Sequence, residues 1–384
     1  MKKVAILSVY DVYNYGSILQ TYATQTIISK LGYDNIIVRN DHRNLLIQFM
    51  RCFNLPLLTM KLKFIARDFY VKHLNHELYE YFASRKSAFD KFIETHLDIS
   101  PDWGDKSKIA EKLLEYGYVL VGSDQVWNPM NIGKDFYTMN FVPEGIKRVA
   151  YAPSFGVTRI PNRMRERYRN FLSRIDDISV REFSGQKIIS DLIGKDVPVV
   201  ADPTILMPLC EWEKFITQNP FGDKRYIFCY FLGANPSHRD FALRLKDKTG
   251  CEIVVLPHSD EICKADFNFG DITPHGVGPK EFVNLIANSE YVCTDSFHAT
   301  VFSNLFKKSF FSFGRYINTE SSASTNSRIP SLLHILGDDC RFINSNIEVT
   351  TTLLRPIDYE LVSANIENLR KSSTEYLLKA LDYD

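Results

Sequence analysis

The sequence predicts an α/β protein made of two units, each with a parallel sheet wound on by helices. Three observations carry that expectation: short apolar runs alternate with helical stretches, the alternation occurs in two separate series, and a Pro- and Trp-containing stretch at 202–221 interrupts it between them. A chain of 384 residues has room for two domains at about 100–200 residues each.

The first series opens with an apolar run at 4–10, a polar turn, a helical pattern at 18–31 closed by Gly32, and a second run at 36–38. That is a β-α-β opening. Further strand-like runs follow at 118–121, 148–152, 178–180 and 197–200. The second series has strands at 226–232, 252–256, 291–294 and 309–313, with helical patterns at 239–249 and 279–289 between them. The cut is expected near Pro208, giving units 1–207 and 208–355, with the charged amphipathic C-terminus, 356–384, packed as a helix across both. One segment breaks the alternation: 43–97 reads as a helical insertion, and its part 43–72 carries six basic residues against one acid. It is either a solvated insertion with a local aromatic core or a peripheral contact with an anionic membrane surface.

With 46 basic and 46 acidic side chains, the formal net charge is zero, which argues against a global polyanion binder and makes nucleic acid an unexpected partner. Seven cysteines without a CxxC pair point to reduced thiols. The N-terminal apolar run stops at Asp11 and reads as a first buried strand rather than a leader, and no apolar stretch nears the roughly 20 residues that cross a bilayer. The expectation is a cytoplasmic protein, free or at the inner face of the membrane.

Five strand ends carry candidate chemistry. In the turn at 11–23, Gly16 and Ser17 fall where a strand hands over to a helix, so exposed amides there favour an anion or polar ligand. No GxGxxG is present, and a capped turn with Asn14 supporting the backbone is the alternative. In LVGSDQVWNP, 120–129, Asp124, Gln125, Trp127 and Asn128 have the makings of a sugar site, polar groups for hydroxyls and an aromatic face for ring C–H groups. The alternative has Trp127 plugging the core. YAPSFG, 151–156, ends a third strand in small and polar residues. Arg181 follows another strand, and a buried guanidinium needs a carboxylate, from a ligand or from a neighbour such as Glu182. In 291–306, Thr294, Asp295 or Ser296 can cap a helix that carries His298 in its first turn, beside an anion-binding position. There His298 either works on a ligand or merely satisfies a carboxylate. Arg328 stands before an apolar helix, and the preceding loop, 314–327, has the composition of a lid. The remaining histidines and cysteines, among them His73, His76, His258, Cys263 and His275, lack the spacing of a metal site, so no metal is expected.

In this order over 13–333, YNYGSILQTYA, VGSDQVWN, YAPSFG, SVRE, ADPT (201–204) and TDSFHATVFS resemble the polysaccharide pyruvyl transferase family. The resemblance implies a GT-B-like fold, two facing Rossmann-like domains with an interdomain cleft. It implies an enzyme that moves the enolpyruvyl skeleton of phosphoenolpyruvate onto two hydroxyls of a surface or capsular polysaccharide, or its precursor, forming a pyruvate ketal and releasing phosphate. It marks Arg181 and His298 as donor-binding or catalytic. Where the family pattern has Arg-Leu-His-Gly, this chain has Ser296, Phe297, His298 and Ala299, and Arg328 is expected to supply the missing guanidinium. On this reading Asp295, Ser296, His298 and Arg328 hold the donor phosphate and Arg181 its carboxylate. His298 transfers the proton, with Asp124 as base. Asn14, Gly16, Gln125, Trp127 and Asn128 hold the saccharide acceptor, soluble or lipid-linked. Phosphoenolpyruvate is then a substrate, and no cofactor is expected. The rival readings are a GT-B glycosyltransferase using a nucleotide sugar and a non-catalytic sugar-binding homologue.

Overall fold

A computed structural model of the chain describes residues 3–40, 76–130, 132, 135–258, 263–267, 269–315 and 327–382. The basic stretch 43–72 and most of the polar loop 314–327 lie outside them.

The first strand, β1 (Lys3–Leu7), is buried from Val4 onward, as an unbroken apolar run covered on both faces should be. Helix α1 (Tyr15–Lys30) starts three residues before its apolar periodicity does. Asn14 caps it, its side chain accepting from the Ser17 amide at 3.3 Å. Twelve of the 16 residues of α1 are buried, so it has no solvent face and lies between its own sheet and the second unit. Strand β2 (Asp34–Ile37), helix α2 (His76–His96) and strands β3 (Tyr118–Val121), β4 (Lys147–Ala150) and β5 (Asp177–Ile178) complete the first unit's framework. The sheet runs β2-β1-β3-β4-β5, every pair parallel.

The run at 197–200 does not become a strand. Pro198 has no amide hydrogen to give a ladder, and contact with the sheet shrinks to one bridge between Val180 and Val199. A short helix, Pro203–Leu206, follows directly, capped by the Asp202 side chain.

In the second unit β6 (Tyr226–Tyr230), β7 (Glu252–Val255), helix α3 (Pro279–Asn288), β8 (Tyr291–Thr294), helix α4 (Phe297–Leu305) and β9 (Ser309–Ser312) form a parallel sheet in the order β7-β6-β8-β9. Helix α5 (Arg328–Leu336) packs beside it. The last helix, α6 (Tyr359–Ala380), begins on the second unit, where Asn365 donates to the Leu336 carbonyl. It ends on the first, where the Tyr376 hydroxyl donates to Ala150 and that of Tyr33 to Leu381.

The two sheets share one hydrophobic core. Tyr15 of α1 stacks on Phe282 of α3 with ring centroids 4.4 Å apart and donates its hydroxyl to the Val277 carbonyl, and Trp212 meets Phe302 of α4 edge to face at 4.9 Å. Both sheets reverse direction beside their first strand, between β1 and β3 and between β6 and β8. An open α/β sheet presents a crevice at the carboxyl ends of such strands. Among the described residues no helix is long and apolar enough to cross a membrane.

Candidate active site

The two crevices face each other across one pocket of about 340 Å³. From the first come Asn14, Ser17, Asp124 and Gln125; from the second come Leu232, Ser296 and His298; Arg315 and Arg328 close one side.

Each wall follows from local chemistry. Asp124 sits three residues after β3 at φ 81°, a left-handed backbone that few residues other than glycine adopt. Its carbonyl accepts from Ser154, and its carboxylate accepts from the Gln125 amide at 2.7 Å and the Ser17 hydroxyl at 2.5 Å. The turn therefore aims the carboxylate at the start of α1. Across the pocket, Ser296 caps α4, so the next amides of that helix face the crevice.

His298 reaches from the second unit into the first. A Cβ built on Gly16 would lie 1.9 Å from its Nδ1, so only glycine lets the imidazole lie against α1. Its Nε2 stands 3.6 Å from Asp202 Oδ2. The same oxygen accepts from Arg181 at 2.7 Å and Ser123 at 2.8 Å, while Oδ1 accepts from the Thr204 amide and hydroxyl. Burial would raise the Asp202 carboxyl, but His298, Arg181 and Thr204 outweigh it and hold the group well below the usual carboxylate range. Burial likewise pulls the Arg181 guanidinium down, and Asp202, Glu182 and Asp124 more than offset that.

The Arg328 guanidinium shifts the other way. It is 7% exposed, and burial, then the charges of Arg181 and Arg315, pull its guanidinium down to about 9. Arg315 Nε is buried without a hydrogen-bond acceptor among the described residues. Two guanidiniums thus line the pocket, and an anion bound there would pair with both. A base whose folded pKa lies below its ordinary 12.5 opposes folding while charged, and that cost is present below about 9 and fades from there toward 12.5. Arg328→Met is therefore expected to raise the thermal midpoint and to abolish the further rise that millimolar inorganic phosphate gives the wild type. Scanning calorimetry with and without phosphate reads both, and an equal phosphate response in the two proteins would refute the assignment.

The sequence signature of the family described as polysaccharide pyruvyl transferase matches residues 14–315. The chain belongs to the polysaccharide pyruvyl transferase family. No curated protein matches its sequence significantly. Solved structures of similar fold include the UDP-GlcNAc 2-epimerase from Methanocaldococcus jannaschii, 13% identical over 100% of both chains with a TM-score of 0.53. The same enzyme in complex with UDP-GlcNAc and UDP gives 0.50, again at 13% identity over 100% of both chains. The epimerase from Neisseria meningitidis bound to UDP-GlcNAc gives 0.48 at 14% identity, covering 99% of this chain and 100% of that one. The chain thus has the GT-B-like fold, two Rossmann-like sheets facing a common cleft.

For this pyruvyl transferase family member the pocket gathers Asn14, Asp124, Gln125, Ser296, His298 and Arg328 from the sequence reading, with Gly16 beneath His298. Four residues need correction. Trp127 is 0% exposed, packs on Phe155 and Phe171 and donates to the Tyr137 carbonyl, so it plugs the core and offers no face to a sugar. Asn128 is buried beside Gly156, where its side chain donates to Gln125 Oε1 and accepts from the Met130 amide. Asp295 spends both carboxylate oxygens on the Leu232 and Gly233 amides, so it shapes the β6 turn rather than a ligand. Arg181 is held by Asp202, with Glu182 3.7 Å away, and is stacked 4.3 Å over Phe297 outside the pocket lining, so the carboxylate its burial called for is the protein's own.

Asp202, Arg315 and Tyr13 escaped the sequence reading. Asp202 lay in the ADPT motif with a recognisable capping position, but nothing in the sequence paired it with an arginine 21 residues upstream. Among the described residues no three His, Cys, Asp or Glu side chains converge as metal ligands.

Proposed function

We propose that the protein transfers the enolpyruvyl skeleton of phosphoenolpyruvate onto two hydroxyls of one sugar, making a pyruvate ketal of a surface polysaccharide or its precursor. The observation that supports this best is the pocket's lining: two guanidiniums, Arg315 and Arg328, the Asp124 carboxylate with the Ser17 hydroxyl on it, and His298 all meet one cavity. Phosphoenolpyruvate presents a phosphate and a carboxylate on three carbons, which suits the guanidiniums and the α4 amides. Sugar hydroxyls suit Asp124, Asn14 and Gln125.

His298 gives a proton to the donor's methylene carbon, making a methyl group and leaving positive charge on the adjacent carbon. One sugar hydroxyl adds there, its proton passing to Asp124 directly or through Ser17. The C–O bond to phosphate then breaks, and the second hydroxyl closes the ketal. Of the two hydroxyl protons, one ends on the methyl carbon and the other on phosphate. Asp202 and Arg181 touch no reacting atom in this scheme and act by holding His298. The chemistry needs no resident cofactor, and it belongs in the cytoplasm, where phosphoenolpyruvate is made.

Calorimetric titration with phosphoenolpyruvate tests the donor assignment. Saturable binding is expected, weakened about tenfold or more in Arg315→Ala. No binding of phosphoenolpyruvate together with binding of UDP-N-acetylglucosamine would replace this reading with nucleotide-sugar chemistry on the same fold.

A further inference from the structure

With Trp127 in the core, the pocket needs another aromatic surface if it is to hold a sugar ring. Two hydrocarbon rings line it. Phe297 is 5% exposed and already covered by Arg181, whereas Tyr13 is 39% exposed.

Tyr13 is not an idle surface residue, because one face of α2 fixes it from four directions. Its carbonyl accepts from Arg85 at 3.2 Å, and its hydroxyl donates to Asp90 Oδ1 at 3.1 Å. Phe89 meets the ring edge-on at 5.9 Å, and the Lys86 ammonium lies 5.2 Å from the ring centre. Lys86 is tied in turn to Asp90 at 2.6 Å. Residues 85, 86, 89 and 90 are one turn apart, so a single helical face clamps the ring. An exposed side chain held this way has already lost its rotamer freedom, which lowers the entropic cost of stacking a ligand on it. Val12 beside it, 40% exposed, extends the apolar surface, and Asn14 and Gln125 stand in the same lining with amides suited to hydroxyls. Lys86 lies over the ring, and 39% of the residue stays exposed in the pocket lining for a ligand.

We infer that Tyr13 is the stacking platform of the acceptor sugar, taking the C–H face of a hexopyranoside so that its hydroxyls turn toward Asp124. This rests on the sugar-acceptor part of the proposed function. Tyr13 touches substrate here and sets acceptor affinity, not donor affinity.

The test uses saturation-transfer NMR with methyl glucopyranoside, methyl galactopyranoside and methyl mannopyranoside, in the presence of phosphate, on wild type, Tyr13→Phe and Tyr13→Ala. The wild type is expected to bind at least one of them through the ring protons of one face. Tyr13→Phe should keep that signal, and Tyr13→Ala should weaken binding about tenfold, with phosphoenolpyruvate affinity by calorimetry equal in all three proteins. Equal glycoside binding by Tyr13→Ala and wild type, or no binding of any of the three glycosides by wild type, overturns the platform. Tyr13-dependent glycoside binding in a protein that never binds phosphoenolpyruvate would keep the platform and overturn the donor.

Discussion

Asp202→Asn is expected to lose turnover by about 10²–10⁴-fold, the range general acid-base chemistry contributes, and to lose about 3–5 kcal/mol of stability. The stability loss arises because Arg181 and Asp202 are both almost wholly buried, at 1% and 0% side-chain exposure. An amide in place of the carboxylate removes the closest counter-charge of that guanidinium and leaves it with Glu182 at 3.7 Å, in a medium that does not make good the loss. The activity loss arises because His298 Nε2 faces the same oxygen. The pH dependence gives a signature that packing alone would not. A carboxyl whose folded pKa is depressed below its ordinary 3.8 contributes stability that is fully present above that value and is lost as pH falls below it. Urea unfolding at about pH 7 and about pH 3 should therefore show the gap between wild type and Asp202→Asn narrowing in acid. A gap that stays constant between the two would mean that the ion pair is not what the substitution removed.

Gly16→Ala should be nearly as damaging to catalysis through a single methyl group. That methyl would stand 1.9 Å from His298 Nδ1 and 2.6 Å from Cε1 and Cγ. The ring cannot simply retreat, because Asp202 and the Arg181-Phe297 stack lie behind it. Overpacking of this kind costs about 1–3 kcal/mol. The rate should suffer more than the fold, since displacing a proton donor by about 1 Å can cost on the order of 100-fold. Steady-state kinetics with a thermal melt separates the two effects, and near-normal turnover would show that His298 does not act from the position it holds here.

The fold was legible where burial on both faces leaves an unbroken apolar run, as in Val4–Leu7 and Tyr118–Val121. It was less legible where burial is not amphipathic. Helix α1 begins at Tyr15, but Tyr15, Gly16 and Ser17 are buried for the sake of the second unit and follow no periodicity of their own. The strand ends were legible as sites because loops at the carboxyl edge of a parallel sheet face a crevice whatever their residues. Their partners were not. Arg181 called for a carboxylate, but charge does not say whether a ligand or Asp202 provides it. Trp127 and Tyr13 are both aromatic residues near strand ends, and only the tertiary structure puts one in the core and the other at the pocket's mouth.

The continuity of the core beneath Tyr15, Phe282, Trp212 and Phe302 has a consequence for how the molecule comes apart. Two lobes joined by a flexible linker could melt separately, or breathe to admit a ligand. Here an apolar cluster runs unbroken from one lobe into the other, and α6 is sewn to both. Heat should find one cooperative structure rather than two. Ligands must then enter past the rim of the pocket, because prising the lobes apart would expose the aromatic seam to water.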